Sequence, residues 1–425
     1  MPAAPTRTDD RFVVRPGRPI EGEVPIGGAK NSVLKLMAAT VLAEGRSVLR
    51  NVPRIADVEF MSDLLVAMGL TVTRTGPDEV SVDRPAEILP EAPYELVERM
   101  RASIVVLGPL LASAGRARVA LPGGDDFGPR PIDIHVRALT EMGAEFSYAH
   151  GYVEARAEKL VGARLVLEFP SHTATDNIVM AAVLAKGTTV IDNAAREPEV
   201  ADLAAFLNRM GARVLGAGTS TIVVEGVDEL SPVEHTVIPD RVEAATFLAA
   251  LGMAGGELTL VGARPDHMDM LITKLGEMGM RISPDSAGLW AMAPGRLRSV
   301  DVATLPYPGV ATDYKPLLTA LLAVADGVGI VTENLFSGRF RYVDELIRMG
   351  ADIRTEGHHA VVRGRPALSG APVRAHDIRA GAALVVAGLR AEGETVVSDA
   401  WHLDRGYERL DEKLRAVGAD VTRVR

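Results

Sequence analysis

Cysteine is absent from all 425 residues. That excludes disulfides, thiolate metal sites and a cysteine nucleophile. Histidine is scarce, with nine in the chain, and no HExxH-like cluster occurs, so no metal site is expected. No run of about 18 apolar residues exists, so no membrane span is expected. The opening MPAAPTRTDDRF holds no apolar stretch, so a secretory leader is not expected and the expected location is the cytoplasm. Positive charge is in deficit. The net charge of −10 argues against nonspecific binding to nucleic acid or an anionic membrane. Neither a GxGxxG opening a helix nor GxxxxGK[ST] occurs, so no dinucleotide-binding or ATPase reading arises. Aromatics are only 4%; Ala, Val, Leu and Gly dominate, which suits tightly packed layers of helix and sheet. The length exceeds the ~250–300 residues at which single cores stop growing, so at least two cores are expected.

One signature recurs along the whole chain: a helix ending in Met-Gly or Val-Gly, then a short strand. The glycines are Gly69, Gly143, Gly211, Gly279, Gly350 and Gly418, spaced 74, 68, 68, 71 and 68 residues apart. A second landmark lies 23 to 28 residues before each: Gly45, Gly115, Gly187, Gly256, Gly327 and Gly393. Glycine at these places is the expected helix C-terminal residue with positive φ. Each repeat reads strand–helix–strand–helix–strand over about 70 residues. The first helix of each is apolar on every side and should be buried; the second is amphipathic. Six such repeats predict an α/β fold of two domains, three repeats each, with helices enclosed by sheets.

The segment Leu121 to His135, LPGGDDFGPRPIDIH, is the densest in reactive groups. Gly123, Gly124 and Gly128 let backbone approach a ligand, Asp125 and Asp126 can move protons, and Arg130 can grip an anion. Gly-Gly-Asp-Asp is also ordinary turn chemistry. At the mouth of the first apolar helix stand Lys30 and Asn31, after Gly27 and Gly28, an arrangement suited to an anion. Five arginines, Arg101, Arg130, Arg339, Arg379 and Arg405, sit beside glycine or at helix mouths. A buried-edge arginine needs a partner, either a structural carboxylate or an anionic ligand. Five in an acidic protein suggest a substrate with several negative charges. Asp313 and Asp377 stand at the entrances of apolar helices, where capping is the plain role; Thr312 could cap in place of Asp313.

Together GGAKNSVLKLMAA, MRASIVVLGPL, LPGGDDFGPRPIDIH, NAAREPEV, the Thr-Asp before the fifth repeat's helix, RFRYVDEL and HLDRGYERL resemble the UDP-N-acetylglucosamine enolpyruvyl transferase family, over essentially the full chain. The resemblance implies two inverse, inside-out α/β domains, 31–238 and 1–30 plus 239–425, with the active site in the cleft between them and a mobile loop at 121–130. It implies transfer of the enolpyruvyl group of phosphoenolpyruvate to the 3-hydroxyl of UDP-N-acetylglucosamine by addition and elimination, without cofactor or metal, as the committed step toward peptidoglycan. By motif, phosphoenolpyruvate would be held by Lys30, Arg130 and Arg405, with Arg101, Arg339 and Arg379 lining the same site. Asp125, Asp313, Lys30, Arg405 and Asp377 would carry the chemistry, Asp313 as candidate base and Asp377 in proton transfer on the enolpyruvyl side. The acceptor would meet Asn31, Arg130, Pro131, Ile132, Asp133, Ser171, His172, Thr173, Thr312, Asp313 and Leu335. The expected partners are these small molecules alone, in a monomer or weak homo-oligomer.

Two positions depart from the family pattern. Asp125 stands where most members carry a mobile-loop Cys, and Asp can act as general acid if its pKa is raised. Ser171-His172-Thr173-Ala174-Thr175 replaces Ser-Val-Gly-Ala-Thr beside the nucleotide. Drift explains that change; so does a new acceptor such as UMP, as in nucleoside-antibiotic pathways. A shikimate-type transferase shares the architecture, but the GGAKN and DRGYERL runs point to the UDP-sugar branch. A silent UDP-sugar-binding paralogue and a repeat scaffold fit less well, because Lys30, Asp313 and the arginines are retained. Fosfomycin alkylates the family's Cys thiolate. With Asp125 in that place, prolonged incubation with fosfomycin is expected to leave activity unchanged. A time-dependent adduct on Asp125 in the intact-mass spectrum would contradict this.

Overall fold

The computed structural model describes residues 10–121, 132–336 and 338–425. The repeat appears as six four-stranded sheets with one common plan. In the third repeat, Arg164–Val166 runs parallel to Thr188–Asp192, which pairs antiparallel with Thr221–Glu225, which pairs antiparallel with Arg213–Leu215. The sequence pattern predicts three strands per repeat; the structure has four. The additional strand, Thr221–Glu225 here, folds back from the strand after the second helix. Its alternating burial is the ordinary mark of a half-buried strand.

Three strands come from elsewhere in the chain. Glu234–Thr236 forms the edge of the first sheet, beside Gly45–Arg50. Ile20–Pro25 forms the edge of the fourth, beside Gly256–Val261. Arg11–Arg15 lies inside the sixth, between Thr395–Ser398 and Asp420–Val424.

The chain divides into two compact units. Among the described residues, a split unit takes those up to Gly27 together with Pro239–Arg425, and the continuous unit takes those between Gly28 and Ile238. The crossing expected at 30/31 falls at Gly27/Gly28, and local contacts explain why. A Cβ on Gly28 would stand 1.7 Å from the Asn51 carbonyl oxygen, and the Ala29 N–H donates to the Ile238 carbonyl at 2.7 Å. Gly27 belongs to the other unit: its N–H donates to Glu243 Oε2 at 2.8 Å and its carbonyl accepts from the Asp240 N–H at 2.8 Å.

Each unit has its own core. At the centre of the split unit lie the helices Arg241–Ala254, Lys315–Val324 and Ile378–Gly388; every residue of the last two is buried. A helix apolar all round cannot face water, so each sheet turns one face inward, as Leu258, Leu260, Val331 and Val397 do. Lys30–Ala39, Leu107–Ala114 and His172–Ala182 are the corresponding helices of the continuous unit. The twelve landmark glycines all have positive φ, between 67° and 110°. Among the described residues no helix is long and apolar enough to cross a membrane.

Close packing of central helices makes small residues obligatory at contacts. A Cβ on Gly108 would lie 2.2 Å from the Asn177 carbonyl oxygen, whereas one on Gly276, in the exposed part of a helix, would meet nothing within 4 Å. Gly108→Ala is therefore expected to cost about 1–3 kcal/mol, and Gly276→Ala to stabilise by about 0.5–1 kcal/mol. Shifts of opposite sign in the calorimetric midpoint would bear this out; equal shifts would not.

Candidate active site

In the split unit the polar groups gather around Asp313, just ahead of helix Lys315–Val324. Its Oδ1 accepts from Arg339 Nη1 at 2.9 Å and its Oδ2 from Arg379 Nε at 3.1 Å. Burial alone would raise this carboxyl, but the two guanidinium groups outweigh it and hold Asp313 far below the usual carboxylate range. Thr312 does not cap the helix. The N-cap is Tyr314, with no side-chain cap bond. Thr312 Oγ1 instead donates to Glu333 Oε2 at 2.7 Å and accepts from Arg339 Nη1 at 3.0 Å.

Asp377 is a cap: its Oδ1 accepts from the N–H groups of Arg379 and Ala380, both at 2.8 Å. The turn it stabilises carries Arg379. The Arg379 guanidinium carbon lies 5.4 Å from the Tyr407 ring centroid, and its buried Nη1 has no hydrogen-bond partner among the described residues. Arg405, also buried, closes the short helix Trp401–Asp404, two residues before Tyr407.

A carboxylate that the sequence does not single out organises this cluster. Glu333 Oε1 accepts from Thr304 Oγ1 at 2.8 Å and from the N–H groups of Leu335 and Phe336 at 2.7 and 3.1 Å. Its Oε2 takes Thr312 and, at 2.8 Å, Lys315 Nζ. Lys315 is wholly buried on a central helix. Its ammonium also donates to the Arg339 carbonyl at 2.5 Å and lies 4.1 Å from the Phe340 ring centroid. Burial lowers Lys315 to about 8, against the pull of Glu333. For Glu333, Lys315 and the donated hydrogen bonds outweigh burial and hold the carboxyl below its ordinary value. Lys315 is not among the residues expected from the sequence, although a charge opening an apolar run could have marked it. The same holds for Arg241, which opens an apolar helix much as Arg379 does and donates to the Tyr314 hydroxyl at 3.1 Å. Glu333, at a strand end, had no such signal.

In the continuous unit, Lys30 opens helix Lys30–Ala39, and its ammonium lies 2.8 Å from the buried Asp57 carboxylate. Half-buried Asn31 follows. Arg101 begins the 3-10 turn Arg101–Val106 ahead of helix Leu107–Ala114. Burial, and secondarily Arg101, push His135 down to about 3, so its imidazole is neutral. Asn177 Nδ2 donates to His135 Nδ1 at 2.9 Å, which leaves the proton on Nε2, 3.4 Å from Thr173 Oγ1.

Ser171 caps helix His172–Ala182, accepting from the Ala174 N–H at 3.4 Å. His172 Nε2 meets Lys35 Nζ, which also pairs with Asp176 Oδ2 at 2.8 Å. Burial raises Asp176 to about 7, with Lys35 pulling the other way. Ile132 is buried and Asp133 exposed at the start of helix Asp133–Glu141. Asp125, Arg130 and Pro131 lie outside the described residues. Among the described residues, no group of three or more His, Asp or Glu could hold a metal ion.

Residues 14–414 match the family model of EPSP synthase (3-phosphoshikimate 1-carboxyvinyltransferase). A UDP-N-acetylglucosamine 1-carboxyvinyltransferase of Nocardia farcinica is 51% identical over 420 residues, 98% of this chain and 99% of that protein. The protein of the same name from Mycobacterium tuberculosis is 51% identical over 415 residues, again 98% and 99% of the two chains. The solved enolpyruvyl transferase NikO from Streptomyces tendae matches with a TM-score of 0.87 and 26% identity, covering 98% of this chain and 99% of that one. EPSP synthase from Acinetobacter baumannii matches with a TM-score of 0.76 and 19% identity, over 98% of this chain and 100% of that one, a likeness of fold.

The Lys315–Glu333 pair has no access to water. Glu333→Gln is expected to cost about 3–5 kcal/mol, because it leaves a buried ammonium without its counter-charge. Lys315→Met with Glu333→Gln should recover part of that loss. Thermal unfolding of both variants checks this; a single variant as stable as the parent would contradict it.

Proposed function

The chain belongs to the UDP-N-acetylglucosamine 1-carboxyvinyltransferase family, and we propose that it transfers the enolpyruvyl group of phosphoenolpyruvate to the 3-hydroxyl of UDP-N-acetylglucosamine, releasing phosphate. The observation that carries this is 51% identity over nearly the full length of relatives with that name. The names of these relatives favour the UDP-sugar reading over the UMP acceptor and the silent paralogue. A cytoplasmic place in cell-wall synthesis, and indifference to fosfomycin, go with this reading.

In the addition step the acceptor oxygen bonds to C2 of phosphoenolpyruvate while C3 takes up a proton. In the elimination step phosphate leaves C2 and C3 gives a proton back. Both steps concentrate negative charge on carboxylate and phosphate, which prearranged cations stabilise without reorganising. Lys30, Arg130 and Arg405 are the groups we assign to phosphoenolpyruvate, with Arg101, Arg339 and Arg379 keeping the field positive. The unpartnered Nη1 of Arg379 supports its share, since a buried donor without an acceptor favours an anion. Asp125 is assigned the proton at C3; ionised Asp126 beside it would raise its pKa.

Asp313 is the acceptor-side carboxylate. Its low proton affinity suits it to orient the 3-hydroxyl as a fixed hydrogen-bond acceptor. To take the proton it must first lose a guanidinium partner, and the incoming anion is the ligand able to draw one away. Asp377, a cap in the structure, would act on the enolpyruvyl side only through the capped turn or its second oxygen.

Phosphate release from phosphoenolpyruvate should be followed with UDP-N-acetylglucosamine and UMP as parallel acceptors, and the products identified by mass spectrometry. Turnover with the UDP-sugar is expected. Turnover with UMP alone, or none with either, would overturn the proposal.

A further inference from the structure

The first turn of helix His172–Ala182 carries His172 and Thr173, the two residues that depart from the family's Val-Gly. Drift would leave such side chains without particular partners. Here each meets a polar group on a different helix. His172 meets Lys35 of helix Lys30–Ala39. Thr173 meets His135 of helix Asp133–Glu141.

Both contacts are chemically directed. An ammonium only donates, so His172 Nε2 accepts and the ring carries its proton on Nδ1. Asp176, one turn further along the same helix, receives the same ammonium at 2.8 Å, so Lys35 is anchored from two positions on the helix it braces. On the other side His135 is itself fixed. Asn177 Nδ2 donates to its Nδ1 at 2.9 Å and to the Ile104 carbonyl at 3.0 Å, while Asn177 Oδ1 accepts from the Gly108 N–H at 2.7 Å. That last bond sets the amide's orientation, and with it the tautomer of His135 that donates to Thr173. Lys35, Asp176, His135 and Asn177 are all buried.

We propose that His172 and Thr173 are positioning residues for the acceptor nucleotide, struts that hold the first turn of this helix between its two neighbours. The amides of a first turn are the part of a helix that meets an anion, and their placement decides how a phosphate sits. In this chain the turn is held through side chains, and acceptor affinity depends on Lys35 and His135 behind them. The inference rests on the reading of Ser171–Thr173 as part of the acceptor site.

The test compares His172→Val and Lys35→Met with His172→Gln, whose amide oxygen can still accept from Lys35. KM for each substrate, kcat and calorimetric UDP-N-acetylglucosamine affinity are measured on protein shown to be folded by its unfolding midpoint. His172→Val and Lys35→Met should each raise acceptor KM and Kd about tenfold, the worth of one hydrogen bond to a charged group. KM for phosphoenolpyruvate should be unchanged, and His172→Gln should stay close to the parent. Parental acceptor affinity in His172→Val overturns the inference, as does an equal rise in both KM values. A parent that turns over the UDP-sugar with an unaffected His172→Val sinks the inference alone. A parent that neither binds nor turns over the UDP-sugar sinks the proposed function, and this inference with it.

Discussion

Burial of the first helix of every repeat is the constraint from which the rest follows. In each unit three such helices lie at the centre, apolar on all sides. A charge placed on them has two options: the mouth of the helix, or a dedicated counter-charge. Lys30, Arg241 and Arg379 take the mouths. Lys35, within its helix, and Lys315, wholly buried at the mouth of its own, are answered by Asp176 and Glu333. The desolvation cost of such pairs is several kcal/mol per ion, so they persist where they also organise something. Glu333 organises the most, gathering Thr304, Thr312, Lys315 and two backbone amides into one carboxylate. The candidate site residues of the described chain are thus outgrowths of the core and inherit its rigidity.

The same constraint shapes the electrostatics of the reaction. Arg339 and Arg379 are too buried to be held by water, and Asp313 neutralises part of their charge at rest. On the proposed function, an anionic substrate would compete with Asp313 for these guanidinium groups. Donor binding and the basicity of Asp313 would then be coupled, since each guanidinium that turned to the substrate would return proton affinity to the carboxylate. That coupling would make the group assigned to the acceptor side reactive only with the donor in place, without a separate switch.

Much of the architecture was legible because it repeats. Glycine at positive φ leaves a mark that survives at twelve places, and six recurrences near 70 residues gave the count and the pairing into threes. The fourth strand escaped because helix ends were the guide and this strand follows the hairpin after them. At the site, helix-mouth residues were legible from an apolar run interrupted by charge. Their partners were not. Asp57 and Glu333 look in sequence like any solvated carboxylate, and Lys35 and His172 lie 137 residues apart. His172 could be seen as a departure, but what it touches exists only once three helices are packed together.

The borrowed strands also order events in time. A chain leaves the ribosome from its N-terminus at roughly 5–20 residues per second. The continuous unit has all its strands once Thr236 has emerged. The strand Arg11–Arg15, made before the other described strands, cannot take its place until Asp420–Val424 has been synthesised, a delay on the order of 20–80 s at that rate. Through that interval it is an unpaired edge, the kind of segment most open to wrong pairing. Its brevity and the arginine at each end are features that disfavour such pairing. The unit completed last thus owns the earliest of the described strands, and a nascent chain with one finished unit and one waiting strand is a necessary stage of this connectivity.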